Sequence, residues 1–129
     1  MNDLCLLLSD SELASAQREA RTLRLRFAVM PVGWARHTNA QPEGYITGVT
    51  LVLDDADIQR SEGAPIGRIS EGRVTCDGVT VPRLSLQGHW AGRVIVTLQG
   101  GQRFQLEAAG AALTIMTDGP VQVRESYAC

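Results

Sequence analysis

The chain has 129 residues, 44% of them hydrophobic and 20% charged, with a formal net charge of −2. That length fits one domain, 1–129, able to bury a core without staples, and the composition is neither disordered nor membrane-spanning. The slight acidic excess argues against a nucleic-acid partner, and the absence of lysine excludes Schiff-base chemistry and a lysine general base.

The opening MNDLCLLLSD has a short apolar run with an acidic flank. It lacks the basic start of a signal peptide and is too short to cross a bilayer, so a cytoplasmic location is expected. Asp3–Leu8 reads as one or two apolar helical turns packed on a sheet. Ser9–Thr22 supports two readings. Ser9 and Glu12 match a capping box ahead of good helix formers, giving a short N-terminal helix. The alternative is a strand over Leu13–Arg18 that turns at Glu19–Arg21 into the next strand.

Thr22–Met30 is a strand, with Leu23, Leu25, Phe27 and Val29 on one face and Arg24 and Arg26 on the other. Pro31–Gly44 (PVGWARHTNAQPEG) has no periodicity and reads as a long loop. Tyr45–Leu53 is apolar on both faces and belongs at the centre of a sheet. It stops at Asp54, Asp55 and Asp57, and Ile58–Pro65 reads as turn. Ile66–Ile69 and Arg73–Cys76 are short strands. Asp77-Gly78 is the strongest hairpin signal in the chain. A two-residue turn there pairs Cys76 with Val79 and Val74 with Val81, which points Cys76 to the core. Pro82 ends that ladder or marks an edge, and Leu84-Ser85-Leu86 leads to Gly88-His89-Trp90.

Gly92–Ala108 (GRVIVTLQGGQRFQLEA) carries period-two alternation on both sides of a glycine pair, an antiparallel hairpin around which the chain is organised. Facing Val94, Val96 and Leu98 with Ala108, Leu106 and Phe104 requires an odd-length loop, satisfied by Gly100–Gln102. By the same argument Leu113 and Ile115 face Val123 and Val121 across Thr117-Asp118-Gly119, and Pro120 opens a last edge strand. The architecture expected is a mainly antiparallel β-sandwich or partly open barrel of about seven to ten strands, with the short N-terminal helix.

No catalytic or metal signature stands out. The two histidines, His37 and His89, each lie near a tryptophan, and His89 with Asp54, Asp55 and Asp57 lacks the spacing of a metal site. The aspartate run also lacks the glycine and distal glutamate of a calcium loop. There is no nucleophile-elbow sequence. Cys76 faces inward by the hairpin argument and Cys5 sits in an apolar run, so neither reads as an activated thiolate. Cys5, Cys76 and Cys129 make an odd, widely spaced set, so reduced thiols are expected. Glu43, Glu71 and Glu107 read as solvating charges rather than a glycosidase pair. Arg18, Arg21, Arg24 and Arg26 form a positive stripe that an outer strand face with cross-strand charge pairs would explain.

The least ordinary feature is the pair of tryptophans, Trp34 and Trp90, both in expected loops. Tryptophan and arginine dominate the energetic centres of interfaces, so Trp34, Arg36 and His37, with His89 and Trp90 as the second group, are the candidate partner-binding residues. The alternative for Trp34 is a plug over an open end of the sheet.

The strings TLRLRF, GYITGVTLVLDDADI, GRISEGRVTCDG and VQVRESYAC resemble small β-rich proteins of proteobacteria, some of them similar to immunity partners of bacterial toxins. The resemblance implies a non-enzymatic cytoplasmic binder and nothing more specific; with the mild charge and short apolar run, a protein partner is expected, with no cofactor, membrane or nucleic acid. It transfers no functional residue. The alternatives are a small-ligand-binding sandwich or barrel, or a hydrolase using His37 or His89.

Overall fold

Period-two alternation turns almost the whole chain into strands. In the computed structural model, which describes residues 4–34, 42–86 and 88–124, there are twelve strands and no helix among the described residues. They are β1 (Leu4–Leu6), β2 (Glu12–Glu19), β3 (Thr22–Trp34), β4 (Gly44–Ile46), β5 (Val49–Asp54), β6 (Asp57–Glu62), β7 (Gly67–Arg68), β8 (Glu71–Cys76), β9 (Val79–Thr80), β10 (Leu84–Ser85), β11 (His89–Gly100) and β12 (Phe104–Thr117). All pair antiparallel in one sheet curled into a half-barrel, the partly open form of the expected architecture with more strands than expected. Its main path runs β10-β1-β3-β5-β12-β11-β8-β9.

The β11–β12 hairpin is the long arm of the sheet, as its alternation predicts. Val94, Val96 and Leu98 point inward, as do Phe104, Leu106 and Ala108. The register differs from the expected one by two residues: Val96 faces Ala108, Leu98 faces Leu106 and Gly100 faces Phe104. The loop is Gly101–Arg103, still three residues, so every side chain keeps its face. The shift lets the Phe104 ring lie on Gly100, where any side chain would collide with it.

β3 is the second long element. Leu23, Leu25 and Phe27 are buried and Arg24 and Arg26 exposed, as expected. An extra residue at Ala28 interrupts the pairing with β2, and the inward phase then passes to Met30 and Val32, leaving Val29 half-buried. The strand does not stop at Met30. It runs on through Pro31 to Trp34, flanked by β1 and β4, so the expected loop from Pro31 is shorter and Trp34 is a strand residue.

The N-terminal helix is not formed. Asp3–Leu8 contributes β1, whose three residues are buried and paired on both edges, with β3 and β10. Ser9–Thr22 takes the strand alternative as β2, turning at Ala20-Arg21. Helix propensity there is outweighed by the ladder that β3 offers. Leu13, fully buried, is inserted into the core by that choice.

Tyr45–Leu53 divides into β4 and β5 around Thr47-Gly48, and β5 is central, between β3 and β12. Ile58–Pro65 is not a turn but largely β6, paired with β12 although five of its six residues are exposed. The Asp77-Gly78 hairpin pairs Cys76 with Val79 as predicted, and Val81 N–H donates to Val74 O at 2.8 Å. Cys76 is half-buried against the core, with its thiol 3.5 Å from Ala91 O, while Cys5 is buried. Cys129 lies outside the described residues. Leu113 and Ile115 do not face Val123 and Val121. They face Leu53 and Leu51 of β5, and β11 flanks β12 on its other edge as far as Thr114, so Leu113 has no edge left for Val123.

Candidate functional site

The two tryptophans stand in strands rather than loops, contrary to the sequence expectation. Trp34 ends β3. It is half-buried, packs on the core, and its backbone N–H donates to Glu43 Oε2 at 2.8 Å. Trp90, on β11, is also half-buried against the core and faces Leu113 of β12. Its ring lies over Gly88, where a Cβ would penetrate it.

Backbone hydrogen bonds tie Trp34, and the glycine under Trp90, to the β1–β10 pair by separate links. Trp34 faces Leu4 of β1, and Leu86 N–H donates to Leu4 O at 3.0 Å. Gly88 N–H in turn donates to Ser85 O at 2.8 Å, holding the glycine under Trp90 close to β10. Trp34 therefore lies beside β1, whereas Trp90 lies on β11 two residues after the glycine held by β10, in register across the sheet with Leu113, Leu53 and Leu23. His89 sits elsewhere: it is exposed, on the opposite face of β11 from Trp90, with Nδ1 2.9 Å from Thr114 Oγ1. Arg36 and His37 lie outside the described residues.

Sequence reasoning missed two concave features. The first is a cleft of about 350 Å³ at the seam between the sheet's two ends. The β1–β2 connection, Leu7 to Asp10, forms one wall, and Gly72–Val74 of β8 with Thr80–Pro82 forms the other. Leu8 fills the back of the seam against Gly72. Asp10 on its rim is tied to Arg68, which raises the arginine pKa. The second is a groove of about 550 Å³ between β3 and the turn after β12, lined by Phe27, Ala28, Thr47, Pro120 and Val121.

That groove is edged by an ion pair. Arg26 donates from both terminal guanidinium nitrogens to Asp118, at 3.0 and 2.5 Å. Those hydrogen bonds favour the carboxylate and hold the Asp118 pKa below its ordinary value, and they raise that of Arg26. The residues are 92 apart in the chain, so no local spacing signals the pair.

The rest of the arginine stripe is also engaged. Arg18 donates to Ala56 O at 3.1 Å, Arg24 lies 3.8 Å from Glu19 and Arg21 3.8 Å from Asp55. Arg24–Glu19 and Arg21–Asp55 are exposed charge pairs, while Arg18 is held by a backbone carbonyl. Among the described residues, no group of three or more His, Cys, Asp or Glu is placed to hold a metal ion. No helix of the described residues is long and apolar enough to cross a membrane. His89 and Thr114 touch at nucleophile–base distance, yet neither lines the cleft or the groove.

Comparison with protein-family models, with curated proteins and with solved structures finds no match to this chain.

Proposed function

We propose that this chain is a non-enzymatic protein-binding module that engages its partner with Trp34 and Trp90 as anchors. One observation carries the reading: the two tryptophans of the chain, on strands far apart in sequence, are each half-buried against the core. A half-buried indole is held by the core on one side and presents apolar area on the other, the form of an interface anchor. The finer version, suggested by the sequence resemblance, is an immunity or inhibitor protein that neutralises a toxin in the cytoplasm. Arg36 and His37 follow Trp34 in the chain, which keeps both as candidate contacts; His89 precedes Trp90 but lies on the opposite face of β11, so it joins them only where a partner wraps around that strand.

The test compares binding and folding in the same variants. A partner captured by the wild-type chain should be lost from Trp34→Ala and Trp90→Ala, each costing about 2 kcal/mol or more of affinity. It should be retained by Gln59→Ala on the exposed β6. Retention of the partner by both tryptophan variants overturns the reading.

A second reading is favoured by the seam cleft. Its volume of about 350 Å³ lies within the range of small-molecule sites, about 300–1,000 Å³. A small ligand found by native mass spectrometry and lost on Val81→Trp would support it over the tryptophan anchors.

A further inference from the structure

The segment after β12 is held differently from the rest of the chain. β5 flanks β12 to its end and β11 as far as Thr114, and beyond Thr117 the chain leaves the ladder: Asp118–Arg124 crosses to β4 instead. At its near end stand the Arg26–Asp118 ion pair and a hydrogen bond from Asp118 N–H to Gly48 O at 3.0 Å. At its far end is a single bridge: Tyr45 N–H donates to Arg124 O at 2.8 Å, and Arg124 N–H to Tyr45 O at 2.9 Å. Between them, Val121 and Val123 are half-buried against the core while Gln122 is exposed. Val123 lies on the bare backbone of Gly44, where a Cβ would approach its Cγ1 to 2.7 Å.

This is an extended segment with apolar residues at alternate positions, laid along the outer edge of a three-residue strand. Its inward residues fill two positions and its backbone satisfies Tyr45. Beside it the groove of about 550 Å³ remains open. Few of its bonds belong to a continuous ladder, which puts its opening at the low end of the local stabilities of the fold. The surface it covers has the chemistry of strand addition: backbone donors and acceptors with sockets for alternate side chains.

We propose that Asp118–Arg124 is a displaceable strap seated in a strand-docking groove along β4, and that an extended partner segment with apolar residues at alternate positions takes its place. Arg26 is the latch, since its guanidinium is satisfied by the strap only while Asp118 is seated. This goes beyond the tryptophan-anchor reading and does not depend on it.

Amide hydrogen exchange on the full chain tests it, read residue by residue in the wild type, Asp118→Asn and Arg26→Gln. Loss of the latch should speed exchange at Tyr45 and Arg124 together by about two- to five-fold, as expected for an exposed ion pair, and leave Val96 and Leu106 unchanged. A synthetic peptide with the sequence of 117–124 is then added in excess to Asp118→Asn. Displacement predicts opposite responses: Tyr45 slows because the peptide covers it, and Arg124 of the chain speeds because its own strap is expelled. No change at Tyr45 and Arg124 in the variants overturns the proposal, as does acceleration that spreads to Val96 and Leu106. Acceleration with no response to the peptide overturns it too, because the strap would then open without leaving a usable groove.

Discussion

The ring of Phe104 rests on Gly100, its direct cross-strand partner at the mouth of the long hairpin. The glycine leaves the sheet face bare, and the ring fills it at 3% exposure, closing the end of the core. The contact also locates the turn: Arg103 N–H donates to Gly100 O at 3.0 Å, just outside the pair. Gly100→Ala would drive the Phe104 ring out of this position. The expected loss is about 1–3 kcal/mol, the cost of overpacking a filled site. Denaturant unfolding of the variant measures it, and an unchanged midpoint would show that the ring relocates freely.

The Asp77-Gly78 turn separates backbone strain from side-chain contact. Both residues have positive φ, 52° and 83°, as a two-residue turn joining twisted strands requires. A Cβ on Gly78 would meet nothing within 4 Å, so Gly78→Ala tests conformation alone. It should cost about 1–2 kcal/mol, the penalty of placing a Cβ in the left-handed region. Asp77 has a further task, since Oδ1 accepts the Arg93 N–H at 2.8 Å. Asp77→Asn keeps an acceptor and tolerates positive φ, so it should be milder than Asp77→Ala. Thermal unfolding of the three variants checks that order.

These two hairpins were legible because their signals are local: alternation, a glycine pair, an aspartate-glycine turn. Thr22–Met30 and the central Leu51–Leu53 were legible for the same reason. The errors fall where a strand is imposed by its neighbours. Leu4–Leu6 is a strand because β3 and β10 flank it, and nothing within the three residues says so. Asp57–Glu62 has one half-buried residue, Ile58, and is held by the backbone of β12 rather than by an apolar face. Val121 and Val123 alternate like a strand, but Leu113, which Val123 was expected to face, has β5 on one side and β11 on the other. At the candidate site, the rarity of Trp34 and Trp90 marked them out, while their places in strands depend on partners far along the chain, Leu4 and Leu113. Arg26 and Asp118 were each read in isolation, one as an outer-face charge and the other as a turn residue.

The Arg26–Asp118 pair makes a pH-dependent contribution with a definite sign. The folded-state pKa of Asp118 is depressed, chiefly by its hydrogen bonds from Arg26. The unfolded chain therefore binds this proton more readily than the folded one. The contribution is fully present above the ordinary aspartate pKa of about 3.9. It is lost as pH falls below that value and through the folded pKa. Arg26 keeps its charge throughout this range. The melting-temperature gap between wild type and Asp118→Asn should be constant from neutral pH to about pH 5 and close as acid protonates Asp118. The side chains are 49% and 56% exposed, so added salt should narrow the gap at neutral pH. A gap independent of both pH and salt would show that the pair contributes nothing to folding.

The geometry of the Trp90 anchor can be checked without a partner. The Trp90 ring tip lies where a Gly88 side chain would stand, and a ring tip can swing away where a backbone cannot. Gly88→Ala should therefore displace the indole with little loss of stability. In a Trp34→Phe background Trp90 is the sole tryptophan, and its emission should shift to the red as the ring moves toward water. The melting temperature should change far less than on Trp90→Ala, which removes the ring's packing on the core and is expected to cost about 1–3 kcal/mol. That is less than the roughly 3–5 kcal/mol typical of a fully buried aromatic residue, because Trp90 is only half-buried. Unchanged emission in Gly88→Ala would mean that the ring does not rest on Gly88. A stability loss equal to that of Trp90→Ala would mean that the ring is fixed by the core, and the anchor reading would then fall to Trp34 alone.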